Sequence, residues 1–159
     1  QEAARNSDYQ HMGTTLVCAV TTPEWAMIGN IGDSRAYHIT AEGIFQISRD
    51  HSVVESMVAK GDLTPLEART HPNRNLITRA LGPDIHAKAD TFALTWHRDE
   101  FLLLCSDGLV NTVSDQEMLF EVLHDGDVNE CLDHMLQISL QRGAPDNITA
   151  VLLLNGEGR

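Results

Sequence analysis

The sequence predicts an α+β fold in which antiparallel strands are grouped apart from the helices. Three observations carry that expectation. Short β-branched and apolar runs separated by Gly, Asp and Pro turn signals fill residues 14–47. Two amphipathic helical patterns stand side by side at 114–143, and strand-sized apolar runs flank them on both sides. Strands gathered with flanking helices, in place of strict β-α alternation, make α+β layers.

In chain order, the residues up to His11 are polar and read as the close of a helix. Thr14–Val20 is β-branched and apolar, a strand, and Thr21-Thr22-Pro23-Glu24 is a turn. Trp25–Ile31 is the second strand, and Gly32-Asp33-Ser34 separates it from a third at Arg35–Ile39. Glu42-Gly43 then turns the chain into Ile44–Ile47. The period changes at His51–Lys60, where Val53, Val54, Met57 and Val58 make a helical stripe that stops at Gly61. Thr64-Pro65-Leu66-Glu67 opens a short second helix with an N-cap Thr, Pro at the first helical position and an acid at the third; His71-Pro72 ends it. Pro72–Asp84 has no steady period. Strands return at Lys88–Leu94 and Glu100–Cys105. Ser114 caps a helix with Glu117 as its partner and with Met118, Leu119 and Val122 on one face. Asp127, partnered by Glu130, caps the last helix, whose Leu132, Met135, Leu136 and Ile138 turn inward and which ends at Gly143. Ile148–Leu154 is the final strand.

The 159 residues are 42% hydrophobic and 21% charged, which suits one soluble globular domain able to bury a core. No apolar run approaches the roughly 20 residues that span a bilayer, so no membrane association is expected. A net charge of −12 weighs against nucleic-acid binding, which needs a basic footprint. Two uses of the acids remain: a solubilising coat, or convergence on divalent cations. Cys18, Cys105 and Cys131 lack metal-type spacing. Cys18 and Cys105 sit in apolar runs and read as small buried hydrophobes in a reducing compartment. With no export or membrane signal visible, the expected location is cytoplasmic.

Two aspartates have a local context that points to chemistry. Asp107 directly follows an apolar strand, in Leu-Leu-Leu-Cys-Ser-Asp-Gly-Leu, and Asp146 directly precedes another, in Ala-Pro-Asp-Asn-Ile-Thr-Ala-Val. If those strands are antiparallel neighbours, both carboxylates emerge at one sheet edge and repel unless cations lie between them. Gly108 would let the backbone turn sharply, and Pro145 would stiffen the approach to Asp146. Hard oxygen ligands on a rigid edge suit Mg²⁺ or Mn²⁺. Taken singly, each acid is as well explained by an ordinary turn.

The motifs Met12-Gly13-Thr14-Thr15, Gly29-Asn30-Ile31-Gly32-Asp33-Ser34-Arg35, Ser48-Arg49-Asp50-His51-Ser52, Gly61-Asp62-Leu63-Thr64, His71-Pro72, Ser106-Asp107-Gly108-Leu109 and Asp146-Asn147-Ile148-Thr149 occur in this order. In that order and spacing the chain resembles the metal-dependent Ser/Thr phosphatase (PPM/PP2C) family from about Met12 to Leu154, closest to its bacterial branch. The resemblance implies a four-layer α-β-β-α sandwich of antiparallel sheets. It also implies a signalling enzyme that hydrolyses phosphoserine and phosphothreonine on proteins, the products of a Ser/Thr kinase, with water activated by two Mn²⁺ or Mg²⁺ ions. Asp107 and Asp146 fall on ligands of that two-metal centre, and Asp50 on a third metal site of the bacterial members. Asp33, a family signature, reads as a residue that holds a turn, with support of the metal ligands from behind as the sharper alternative, and residues 52–79 fall on a flap beside the site.

The family's N-terminal motifs have no match. Residues 1–159 are therefore expected to be the C-terminal portion of a single phosphatase domain, weak or inactive alone and associating with the segment that supplies the remaining ligands. The competing reading is a non-catalytic regulatory module that keeps the fold without the full ligand set. The eight histidines show no shared ligand spacing. His124 and His134 read as surface or packing residues, and proton transfer by His51 or His71 is the weaker reading of both.

Overall fold

The computed structural model describes residues 12–82, 86–124 and 127–156. The helix expected up to His11 lies outside them. Seven strands form two antiparallel sheets. The first has the order β1-β2-β5, from Leu16–Thr21, Trp25–Ile31 and Asp90–Thr95. The second has the order β4-β3-β6-β7, from Gly43–Gln46, Arg35–Thr40, Phe101–Cys105 and Ala150–Leu154. Helices α1 (Val53–Lys60) and α2 (Pro65–Thr70) form one helical pair, within the segment expected to be a flap, while α3 (Asp107–Val110), α4 (Asp115–His124) and α5 (Val128–Gln141) form the second helical group.

Alternation along the strands decides which face meets what. Ala26 and Ile28 of β2 point at Ala36 of β3 and Leu102 of β6, with Trp96 beside them, so the two sheets face each other across an apolar core. The opposite face of the second sheet offers Tyr37, Ile39, Leu103 and Cys105 to Leu109, Val113, Met118, Val122 and Met135 of the helices and their connections. Strand β6 is buried on both faces, which is why Phe101-Leu102-Leu103-Leu104-Cys105 reads as a continuous apolar run. The described residues thus form three layers, sheet on sheet on helices. The outer face of the first sheet exposes Leu16, Val20, Trp25 and Met27.

Most elements lie where the residue patterns put them, and the differences have local causes. Ser52 caps α1 by accepting from the Glu55 amide, so the helix starts two residues after His51. Thr64 and Glu67 form the expected capping box, as do Ser114 and Glu117. Asp127 caps α5 by accepting from the Asn129 amide at 2.6 Å, without the Glu130 partnership. Leu136 is 39% exposed, while Leu132, Met135 and Ile138 pack inward as expected and Cys131 and Ser139 are buried with them. Cys18 is exposed on the outer face of β1, whereas Cys105 and Cys131 are buried.

Candidate metal centre

Strand register builds the site. Cys105 of β6 pairs with Ala150 of β7 and with Arg35 of β3. The residues just past these pairs therefore converge at one edge of the second sheet: Asp33 before β3, Asp107 after β6 and Asp146 before β7. Ser106 locks the crossing. Its amide donates to the Thr149 carbonyl at 2.9 Å, its hydroxyl donates to the Asn147 carbonyl at 3.2 Å, and it accepts from the Thr149 amide at 3.1 Å. Gly108 serves close approach and not a sharp turn: Asp107 begins α3, and a Cβ at position 108 would overlap the Asn147 carbonyl.

The acids repel as their positions require. Burial pushes the Asp107 carboxyl above its ordinary value, and Asp146 and Asp50 push it further, against backbone N–H donors that lower it. Asp33 is raised in the same way, first by burial and then by Asp107, with Asp50 adding a smaller push. Asp146 is exposed at the mouth of this edge. The structure thus brings Asp107 and Asp146 together and adds Asp33, which the sequence reading treated first as a turn residue.

Asp50 is engaged elsewhere. It accepts from Arg35 Nε at 3.0 Å to each carboxylate oxygen, from Arg35 Nη2 at 2.7 Å and from Gln46 Nε2 at 3.2 Å. Its field reaches the centre, but its oxygens face a guanidinium, and ligation by Asp50 requires Arg35 to let go.

His51 organises the Asp33 turn. Its Nδ1 accepts from the Gly32 amide at 3.0 Å, so this nitrogen carries no proton, and Nε2–H donates to Asp90 at 3.0 Å. Arg79 donates to the other Asp90 oxygen at 2.7 Å. These two bonds hold the Asp90 carboxyl below its usual range, the His51 bond most strongly. The His51 amide donates back to the Gly32 carbonyl at 2.9 Å, and Asn30 Nδ2 donates to both that carbonyl and the Arg49 carbonyl. Gly32 has φ +107°, and a Cβ there would strike Thr15. No short-range sequence pattern announces this, because Asp90 reaches His51 from 39 residues away and Arg79 in turn reaches Asp90 from 11.

The donor set at this edge is all carboxylate oxygen, held on strand ends and in mutual repulsion, and it fits a hard divalent cation. Among the described residues no group of three or more His, Cys, Asp or Glu side chains is close enough to enclose one. The edge is an open part of a site, not a closed cage.

Two facing antiparallel sheets, helices on one side and acids at one sheet edge define an α+β sandwich with a candidate divalent-metal site. The chain belongs to the protein phosphatase 2C family, whose profile matches residues 1–152. It is 35% identical to the serine/threonine phosphatase stp of Listeria welshimeri over 151 residues, covering 95% of this chain and 60% of that protein. The crystal structure of the serine/threonine phosphatase Stp1 of Staphylococcus aureus is similar with a TM-score of 0.91 and 40% identity, over 99% of this chain and 61% of that one. The catalytic domain of the serine/threonine phosphatase PstP in complex with two manganese ions is similar with a TM-score of 0.84 and 31% identity, over 95% of this chain and 62% of that one. The chain thus spans about 60% of the length of the Listeria relative and of the Staphylococcus structure.

Proposed function

We propose that this chain carries part of the metal centre of a phosphatase that removes phosphate from phosphoserine and phosphothreonine of proteins. The observation behind it is the convergence of Asp33, Asp107 and Asp146 at one sheet edge, with Asp33 and Asp107 raised by burial and mutual repulsion. Asp107 and Asp146 would hold the cations, Mn²⁺ or Mg²⁺, two in number as in the manganese complex of PstP. Asp33 stands as an inner acid, and Asp50 serves a third position once released from Arg35. Bound cations supply a lowered water pKa and charge neutralisation for the phosphate. The protein's own contribution is rigidity: the Ser106 crossing fixes the spacing of Asp107 and Asp146, and His51 fixes the turn that carries Asp33. The substrates are products of a Ser/Thr kinase in the cytoplasm, and the remaining ligands come from a segment that packs with residues 1–159, the C-terminal portion of the domain.

Turnover of para-nitrophenyl phosphate and of a phosphothreonine peptide, with and without Mn²⁺, tests this in the 159-residue chain and in a form extended upstream. The extended form is expected to need Mn²⁺, and the chain alone to turn over slowly. Asp107→Asn and Asp146→Asn should each cost roughly a hundredfold or more in kcat/KM, the scale of one lost cation contact. The open donor set at the edge also supports a second reading, a non-catalytic module. Tight metal binding without turnover in the extended form would establish that second reading and end the first.

A further inference from the structure

The flap and the second helical group enclose a cavity of about 500 Å³. A second cavity of about 450 Å³ shares Arg69, Arg74 and Asn111 with it and has Asp146 in its wall. Together they make a track that leads from the acidic sheet edge out beneath α2. Both volumes fall in the range of ligand pockets, roughly 300–1,000 Å³.

Charge sets this track apart. The chain carries −12 overall, yet the first cavity is walled by four arginines, Arg35, Arg69, Arg74 and Arg142, against two carboxylates, Asp50 and Glu55. Two of the arginines are committed. Arg35 grips Asp50 at 2.7 Å, and Arg142 grips Glu117 at 2.6 Å and the Thr112 carbonyl. The other two are not. Arg69 is 60% exposed and meets Asp115 only at 3.6 Å, and the Arg74 guanidinium has no hydrogen-bond or ion-pair partner among the described residues. These two are the arginines that also wall the cavity containing Asp146, where Asn75 and Asn111 add polar groups. Arg69 and Arg74 both wall the two cavities, so an anion held against that shared wall lies in the field of both guanidinium groups. A guanidinium fork matches a carboxylate or phosphate in shape as well as charge, and a concave wall concentrates its field.

We propose that Arg69 and Arg74 form an anion subsite for an acidic group on the substrate chain next to the phosphorylated residue. The proposal rests on the phosphatase reading above and narrows its substrate class to phosphopeptides with an acidic flank. The phosphorylated residue lies toward Asp146, and the flanking carboxylate or second phosphate lies between the two arginines. Asp50 and Glu55 wall the first cavity but not the second, so the anion is favoured at the Arg69–Arg74 wall that the two cavities share.

The experiment uses phosphoserine peptides of equal length whose flank is Glu, Gln, Lys or a second phosphoserine, in the presence of diamagnetic Mg²⁺ for binding and of Mn²⁺ for turnover. Binding to the isotope-labelled 159-residue chain is followed at the arginine side-chain N–H resonances, and turnover is measured in the form extended upstream. The Glu-flanked peptide is expected to shift Arg69 and Arg74 and to bind roughly fivefold to tenfold more tightly than its Gln counterpart, on the scale of one to two surface charge pairs. The doubly phosphorylated peptide tells phosphate from carboxylate as the preferred anion. R69E/R74E should prefer the Lys flank, and R69Q/R74Q, which keeps the volume of the side chains, should prefer none. Equal affinity for Glu, Gln and Lys flanks, unmoved arginine resonances, or a Glu preference that survives R69Q/R74Q overturns the subsite. Failure of the phosphatase reading looks different: flank-dependent binding persists while no peptide is turned over.

Discussion

Removing Asp107 is expected to strengthen the metal-free protein while disabling it. Its carboxyl is raised in the fold by burial and by Asp146, so the charged form is destabilised there relative to the unfolded chain. The sign follows. With the folded value above the unfolded one, metal-free protein gains stability as pH falls through this window and loses it as pH rises. Asp107→Asn removes that dependence, so calorimetry with a chelator present should show an equal or higher melting temperature than the parent. Added Mn²⁺ should raise the parent's melting temperature and leave the variant's nearly unmoved. His51 supports the opposite kind of prediction. Its Nδ1 is the acceptor of the Gly32 amide, and removing it leaves a buried donor unsatisfied, a cost of about 1–3 kcal/mol. Asn places an oxygen near the Nδ1 position and Gln near the Nε2 position. His51→Gln should therefore speed hydrogen exchange of the Gly32 amide and weaken Mn²⁺ binding, and His51→Asn should recover most of both. Equal damage from the two variants would mean that the ring's volume matters and its acceptor does not. These residues also mark how far the sequence reads. Asp107 and Asp146 were legible because each abuts an apolar strand. Asp33 was legible first as a turn and only second as a support of the site, since what puts it beside Asp107 is the pairing of Arg35 with Cys105 across 70 residues.

At the scale of elements, capping was legible and clamping was not. Ser114 and Glu117 stand three residues apart and form the expected box, with the Glu117 carboxylate accepting from the Ser114 amide at 2.9 Å and from its hydroxyl at 2.7 Å. The same carboxylate takes two bonds from Arg142, at 2.9 and 2.6 Å, and so ties the start of α4 to the end of α5. Nothing within α4 foretells that partner, which lies 25 residues on. The bonds from Arg142, with those from Ser114, hold the Glu117 carboxyl down to about 2 from an ordinary 4.5. A depressed carboxylate contributes stability that is complete above its unfolded value and lost as pH falls through its folded one. The parent is therefore expected to lose stability between pH 4.5 and about 2 in a step that Glu117→Gln flattens. Because the pair is largely exposed, high salt should shrink the step in the parent. Urea melts across that pH range, at low and high salt, measure both. An unchanged acid limb in the variant would show that the α4–α5 contact is held by Met118, Val122 and Met135 alone.

At the scale of the molecule, the described residues cover the second sheet on both faces and the first sheet on one. The second sheet is covered by the first on one face and by helices on the other, while the first sheet turns Leu16, Val20, Trp25 and Met27 outward, at 47%, 63%, 41% and 46% exposure. Alternation in β1 and β2 made two sides legible in the sequence, but which side would be covered depends on layers set by topology, as does the exposure of Cys18. Contiguous apolar area on a strand face is costly in water and drives association. Two strands share this face, and the β1–β2 register sets Val20 beside Met27. The chain alone is therefore expected to bind a hydrophobic dye and to self-associate as its concentration rises. Val20→Thr combined with Met27→Lys should lower both. Neither side chain belongs to either core, so the melting temperature should move little, within about 0.5 kcal/mol of stability per site. Sedimentation equilibrium and dye titration on parent and variant decide the matter. If association persists in the variant, Val20 and Met27 do not drive it, and other exposed apolar side chains such as Leu66, Phe120 and Leu140 are responsible.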